Sequence, residues 1–463
     1  MPSVRLTEVE LPEFGVPETR PEFDDSLYTA RLSRLRDRAQ AIGLTTIVVY
    51  ADREHFANIA YFTDFEPRFE EALLILSEDR IPTIVTGPEN AGRARATKIE
   101  AESINYPSFG LLGQDRGKTP ALAELLRSLG IERGGHVGVV GWKYFGASES
   151  PEPETWLDLP SYVADTLRAV TGASGRVVNA TALLVDPSDG LRAVNEIDQL
   201  AQFEVAASHV SEAIKRVLFG LRPGMREFEA AQLMKQNGLP VTCHPMLSSG
   251  PRAYFGLESP SDKVIERGDP MTVAFGLRGG LTCRAGWLVK DASELPVSIA
   301  DYVERLAAPY FACVAEWYET IGIGVTGGEI DALVKRHLGA PFFGVNLNPG
   351  HLIHLDEWMN SPIYPGSTEQ LRTGQALQCD IIPATGSPYF TTNIEDGIAL
   401  LDERGRDEFA DRHPNAWHRI EARREFMMSE LGIRLKPEVL PFSNLQGYLP
   451  PFLLSPQMVF AKA

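Results

Sequence analysis

Apolar residues recur at helical spacing over residues 27–42 and stop at Gly43, a residue type common just past a helix end. Short runs of β-branched and aliphatic residues follow at 45–50, 72–77 and 82–87, and each predicts a buried strand. The turn-forming residues 78–80 join the last two. Helices are predicted over 118–129 and 156–170, with strands at 136–141 and 176–181. Strands that alternate with helices make this half a small α/β domain. Residues 185–196 are rich in turn formers and set a boundary: 1–190 form the first domain, led by a Pro- and Glu-rich arm over 1–25, and 191–463 form the second.

The second half has a different pattern. Ile197, Leu200, Phe203, Ala206, Ala207, Val210, Ile214 and Val217 share one side of a long amphipathic helix over 196–219. A Pro-Gly break at 223–224 precedes another amphipathic stretch that runs to 234. From residue 264 onward, strands separated by glycine turns dominate, interrupted by helical stretches at 299–321 and 328–338. Strands and helices are segregated here, so the fold class of the chain is α+β. The tail over 440–456 is apolar, aromatic and proline-interrupted, and reads as an extended strap over its domain or a partner subunit. Residues 413–426 gather His and Arg on a helix and read as a solvated face or a dimer contact.

Charge narrows the function classes. Against 44 Lys and Arg stand 62 Asp and Glu, a formal net charge of -18, which opposes sequence-independent binding to nucleic acid. The expected partner is a small-molecule substrate rather than nucleic acid or a membrane. No run of about 18 apolar residues predicts a membrane span, and the first 25 residues show no basic stretch leading into an apolar one. Cys243, Cys283, Cys313 and Cys379 are scattered without CxxC spacing, so reduced thiols and a cytoplasmic location are expected.

Several segments, taken in order, carry a resemblance to a known family. They are NIAYFTDF (58–65), NEIDQLAQFEVAASHVSEAI (195–214), LRPGMREFEAA (221–231) and GDPMTVAFG (268–276), followed by NPGHLIH (348–354), GQALQCDIIP (374–383) and NIEDGIAL (393–400). The set resembles the creatinase/aminopeptidase P (Xaa-Pro peptidase) type of the M24 peptidase family. The resemblance implies a creatinase-type N-terminal domain, a pita-bread C-terminal domain and a homodimer. It also implies a site: family metallopeptidases hold two divalent ions with two Asp, one His and two Glu, because adjacent cations need several anionic oxygens. Carried over residue by residue, the first Asp falls at Ala274 and the second at Ala285, neither able to ligate. His351 matches the ligand His, Asp380 stands at the first Glu and Glu395 at the second. A family His upstream falls near Leu257, and another near Trp358, with His354 close by.

The candidate catalytic residues are therefore His351, Asp380, Glu395 and His354. Imidazole moves protons near neutral pH, and two neighbouring carboxylates without an ion share a proton or bind a cation. Arg252, Tyr254, Arg284 and Trp358 are the candidate substrate-binding residues, although strand alternation turns Arg284 away from the face of Ala285. With two ligands missing, the expectation is a metal-independent hydrolase of a small C–N compound, such as an amide or amidine, without a metal or other cofactor. The alternatives are an Xaa-Pro aminopeptidase or dipeptidase that uses one divalent metal such as Mn or Zn, and a non-catalytic binding protein of the M24 fold.

Overall fold

The computed structural model describes residues 4–78 and 80–463. Residues 1–3 of the expected arm and Asp79, the middle of the expected 78–80 turn, lie outside the described residues. The chain divides into one unit over Phe23–Ala193 and another that joins the N-terminal arm to Val194–Ala463. Grouping the arm with the first domain is thus corrected: strand β1 (Val4–Glu8) runs antiparallel to a strand near the C-terminus, Met458–Lys462.

Within Phe23–Ala193 the apolar runs form β2 (Thr46–Ala51), β3 (Ala72–Ser77), β4 (Thr83–Thr86), β5 (Glu102–Asn105), β6 (His136–Val140) and β7 (Arg176–Asn179). Among the described residues they make one mixed sheet in the order β5-β4-β3-β2-β6-β7. Val48, Leu73, Val85 and Val139 meet Leu126, Val163 and Leu167 of the flanking helices Leu122–Ser128 and Ser161–Thr171 in its core. The continuous apolar strands belong to a sheet that is covered, as their lack of polar alternation implies.

The other unit is built on an antiparallel sheet. Its strands are β8 (Val241–Ser249), β9 (Pro270–Leu277), β10 (Gly280–Trp287), β11 (His351–Leu352), β12 (Ala376–Asp380), β13 (Asn393–Leu400) and β14 (Val439–Pro441), while β15 (Met458–Lys462) is the partner of β1. The order is β11-β12-β13-β10-β9-β8, with β14 added beside β13. The helix Ile197–Gly220 lays Leu200, Phe203 and Ala207 against Leu281, Ala376 and Ala399 of this sheet. Gly280 permits that approach, because a Cβ there would lie 2.6 Å from the Ala207 nitrogen. The helix Pro414–Ser429 keeps part of the solvated face expected over 413–426, with Asn415, His418 and Glu421 exposed, but Arg419 and Arg423 turn inward. Its Arg423 is buried, with Nη1 2.7 Å from Glu204 Oε1 and Nη2 2.7 Å from Ser208 Oγ. A buried carboxylate on the long helix demands such partners, and Arg419 supplies two more donors.

The tail over 440–456 is buried against its own unit but, unlike the extended strap expected, it turns at 444–447 and 453–457; Trp287 N–H donates to the Pro451 carbonyl and Leu453 N–H to that of Trp287. No helix among the described residues is long and apolar enough to cross a membrane.

Candidate metal centre

Antiparallel pairing sets which side chains share a face, because directly paired residues point the same way. Asp380 pairs with Glu395, Glu395 with Cys283, and Cys283 with Ala274, giving a row across β12, β13, β10 and β9. His351 enters from β11, paired with Gln378, two positions from Asp380 on the same face of β12. Gly350 delivers it from a backbone with φ +133, where a Cβ would meet the Gln378 carbonyl at 2.8 Å.

His351 Nε2 lies 3.5 Å from Glu395 Oε1 and 3.9 Å from Asp380 Oδ2. One donor atom from each of the three residues lies within 4.8 Å of the others, and all three residues are buried. The imidazole Nδ1 faces the Leu352 carbonyl at 3.2 Å, and since a carbonyl only accepts, Nδ1 carries the hydrogen and Nε2 keeps its lone pair toward the carboxylates. Asp380 Oδ1 is buried without a hydrogen-bond partner. A buried carboxylate oxygen left unmatched beside another acid and an imidazole lone pair is a donor set that suits a cation.

Without that cation, burial pushes the Asp380 carboxyl well above the carboxylate range, and nearby Glu395 adds to the shift. Glu395 is raised to about 8, by burial first and then by Glu357 and Asp396. Burial also lowers the His351 imidazole, against the pull of Asp380. In the metal-free chain these raised carboxyls hold protons that the unfolded chain releases above about pH 4.5. Their contribution to stability is therefore greatest below that pH and declines up to about 8, where Glu395 ionises in the fold as well. Urea midpoints of the metal-free chain at about pH 5 and pH 8 are expected to differ less in Glu395→Gln than in the unsubstituted protein, because the glutamine cannot ionise.

The other candidates are placed as follows. His354 is buried, its ring edge-on to Phe203 at 5.2 Å, and it is not part of the trio. Trp358 stacks on His351, with ring centroids 4.1 Å apart and planes 20° from parallel. Arg252 is bound by Glu227 and Glu258, the latter at 2.8 Å, and by Ser261 Oγ at 2.8 Å. Tyr254 is half exposed and packs edge-on against Phe390 at 5.2 Å. Arg284 points to the opposite face of β10, where Nη2 binds Asp396 Oδ2 at 2.6 Å and the Leu445 carbonyl at 2.6 Å, while Nε binds the Tyr448 carbonyl at 2.8 Å. Its assignment to substrate is withdrawn, since the guanidinium ties the tail to the back of the sheet. Leu257, at the expected place of a family His, is largely exposed with φ +55.

Glu357 was not singled out from the sequence. Its charge acts on His351, Asp380 and Glu395, and its carboxylate accepts a hydrogen bond from the Cys243 thiol. An acidic residue beside the aligned Trp358 is the one sequence signal that pointed there.

Residues 201–399 match the model of metallopeptidase family M24. The uncharacterized peptidase YqhT of Bacillus subtilis (strain 168) is 26% identical over 254 residues, which are 51% of this chain and 68% of that protein. An Xaa-Pro dipeptidase from Bacillus anthracis superposes with a TM-score of 0.59 at 18% identity, covering 82% of this chain and 96% of its own. A recombinant prolidase from Thermococcus sibiricus gives 0.62 at 17% identity, with 82% and 96% covered. At such identities the solved structures speak for the fold.

These findings correct two expectations. A metal-independent hydrolase of small C–N compounds is not supported, and neither is the absence of a metal: the matching family is one of metallopeptidases, and His351, Asp380 and Glu395 form a group able to hold an ion. Physically, Ala274 and Ala285 withhold the oxygens a pair of ions needs, but three converging nitrogen and oxygen donors suffice for one. The C-terminal unit has a pita-bread fold, and the match to the family M24 model over 201–399 covers the strands that carry this trio.

Proposed function

We propose that the chain is a peptidase of the Xaa-Pro type, hydrolysing the C–N bond of short peptides at a single-ion site. The observation that carries this reading is the convergence of His351, Asp380 and Glu395 donor atoms within 4.8 Å, on the face from which Ala274 and Ala285 offer nothing. These three residues would hold the ion, which when bound polarises a carbonyl and makes water acidic near neutral pH. The protein's own groups do the rest. Leu352 fixes the His351 tautomer, burial keeps bulk water from the carboxylates, and Asp380 Oδ1, free of protein donors, is an acceptor at which a proton can be held. A homodimer and a cytoplasmic location belong to the same proposal, supported by the family resemblance and by four buried cysteines without disulfides.

Hydrolysis of an Xaa-Pro dipeptide, lost on chelation and restored by Mn or Zn, is the expected result. Inactivity with every added metal would favour the second reading, a binding protein of M24 fold that lost its chemistry, to which the two alanines lend weight. The pair of substitutions Ala274→Asp and Ala285→Asp is expected to add a second retained ion, measured by plasma emission after desalting. Ala285 lies on the metal-facing side with Thr272 and Asn393, where an aspartate would reach toward Glu395.

A further inference from the structure

We infer that Trp358 is a positioning residue for the metal-binding imidazole: it acts through His351, holding the ring in the plane that aims Nε2 at Asp380 and Glu395. This inference rests on the single-ion reading and extends it to a residue that offers the ion no donor atom.

Three observations carry it. The indole and imidazole are stacked, 4.1 Å between centroids with 20° between planes, so the indole lies over one face of the His351 ring. His351 is 1% exposed while Trp358 is 36% exposed, which puts the indole on the solvent side of the pair. The hydrogen bond from Nδ1 to the Leu352 carbonyl, 3.2 Å long, restrains one ring edge but leaves the ring able to swing about it. A flat, rigid neighbour removes that freedom, and the strand segment His351–Leu352 is too short to do so by itself. The chemistry favours this partner. A histidine that gives its lone pair to a cation draws positive charge into the ring, and the electron-rich face of an indole attracts it. Outer partners of ligating histidines set affinity through orientation in the same way.

The test is a Co(II) titration of the full chain, followed by competition with a chromophoric chelator and by tryptophan fluorescence. The chain has 6 tryptophans, and the one stacked on a Co(II) ligand is expected to account for most of the quenching. Trp358→Ala should bind Co(II) roughly 10- to 100-fold more weakly. Trp358→Phe should keep most of the affinity, because it restores a flat aromatic face, but lose the quenching. Trp358→Leu covers the ring with an apolar group of no fixed plane and should behave like the alanine variant, which keeps the test open if Trp358→Ala does not fold. Affinity unchanged in Trp358→Ala or Trp358→Leu overturns the inference while leaving the single-ion reading intact. No Co(II) binding by the unsubstituted chain overturns both.

Discussion

His351→Ala is expected to strip the chain of its ion and to lower divalent-metal affinity by more than about 100-fold, beyond the 10- to 100-fold that loss of an outer partner costs. The reasoning is a matter of counting donors. His351 contributes the nitrogen, and removing it leaves Asp380 and Glu395, two buried carboxyls that burial already pushes toward their neutral forms. An ion must displace the protons these carboxyls hold, and with one donor fewer and without the pull of His351 on Asp380 the remaining pair keeps its protons instead. Any Xaa-Pro hydrolysis should fall with the ion. Isothermal titration with Zn or Mn checks the affinity, and far-ultraviolet circular dichroism checks that the sheet survives.

The largest expected effect on stability lies on the opposite face of the same sheet. Arg284→Met should destabilise the C-terminal unit by about 3–5 kcal/mol, the usual cost of removing one partner of a buried ion pair. Asp396 is fully buried, with burial raising its carboxyl and Arg284 pulling it down, so the substitution leaves an uncompensated acid in the core. It also removes the Arg284 hydrogen bonds to the Leu445 and Tyr448 carbonyls, the first of which keeps the Tyr448 N–H, and this loosens the tail from β10. Adding Asp396→Leu should recover much of the loss, since a well-packed apolar pair often matches a buried ion pair. Urea unfolding followed by the fluorescence of Trp287 and its neighbours measures both.

Elements with strong period were legible from sequence. The long helix Ile197–Gly220, the strands β2, β3 and β6, and the alternation that turns Arg284 away from Ala285 follow from residue spacing. Non-local pairings were not legible. The arm's Val4–Glu8 meets Met458–Lys462 through a ladder between opposite ends of the chain, which no local pattern encodes. The basic run over 413–426 gave no sign that Arg419 and Arg423 answer a buried Glu204, since charge on a helix predicts solvent. At the site, ordered motifs singled out His351, Asp380 and Glu395, while Glu357 and the stacking of Trp358 lie in a segment without period. The error over the metal had a specific cause. Two absent aspartates show that a pair of ions lacks its ligands, but not that the remaining donors are too far apart for one, and only coordinates give that distance.

Metal stoichiometry tests the single-ion site most directly. The purified chain is loaded with Zn or Mn, desalted and analysed by plasma emission alongside His351→Ala. Three protein donors with open positions predict about one ion per chain, absent from the variant. No retained ion, two ions, or the same content in His351→Ala would contradict a single ion held by His351, Asp380 and Glu395.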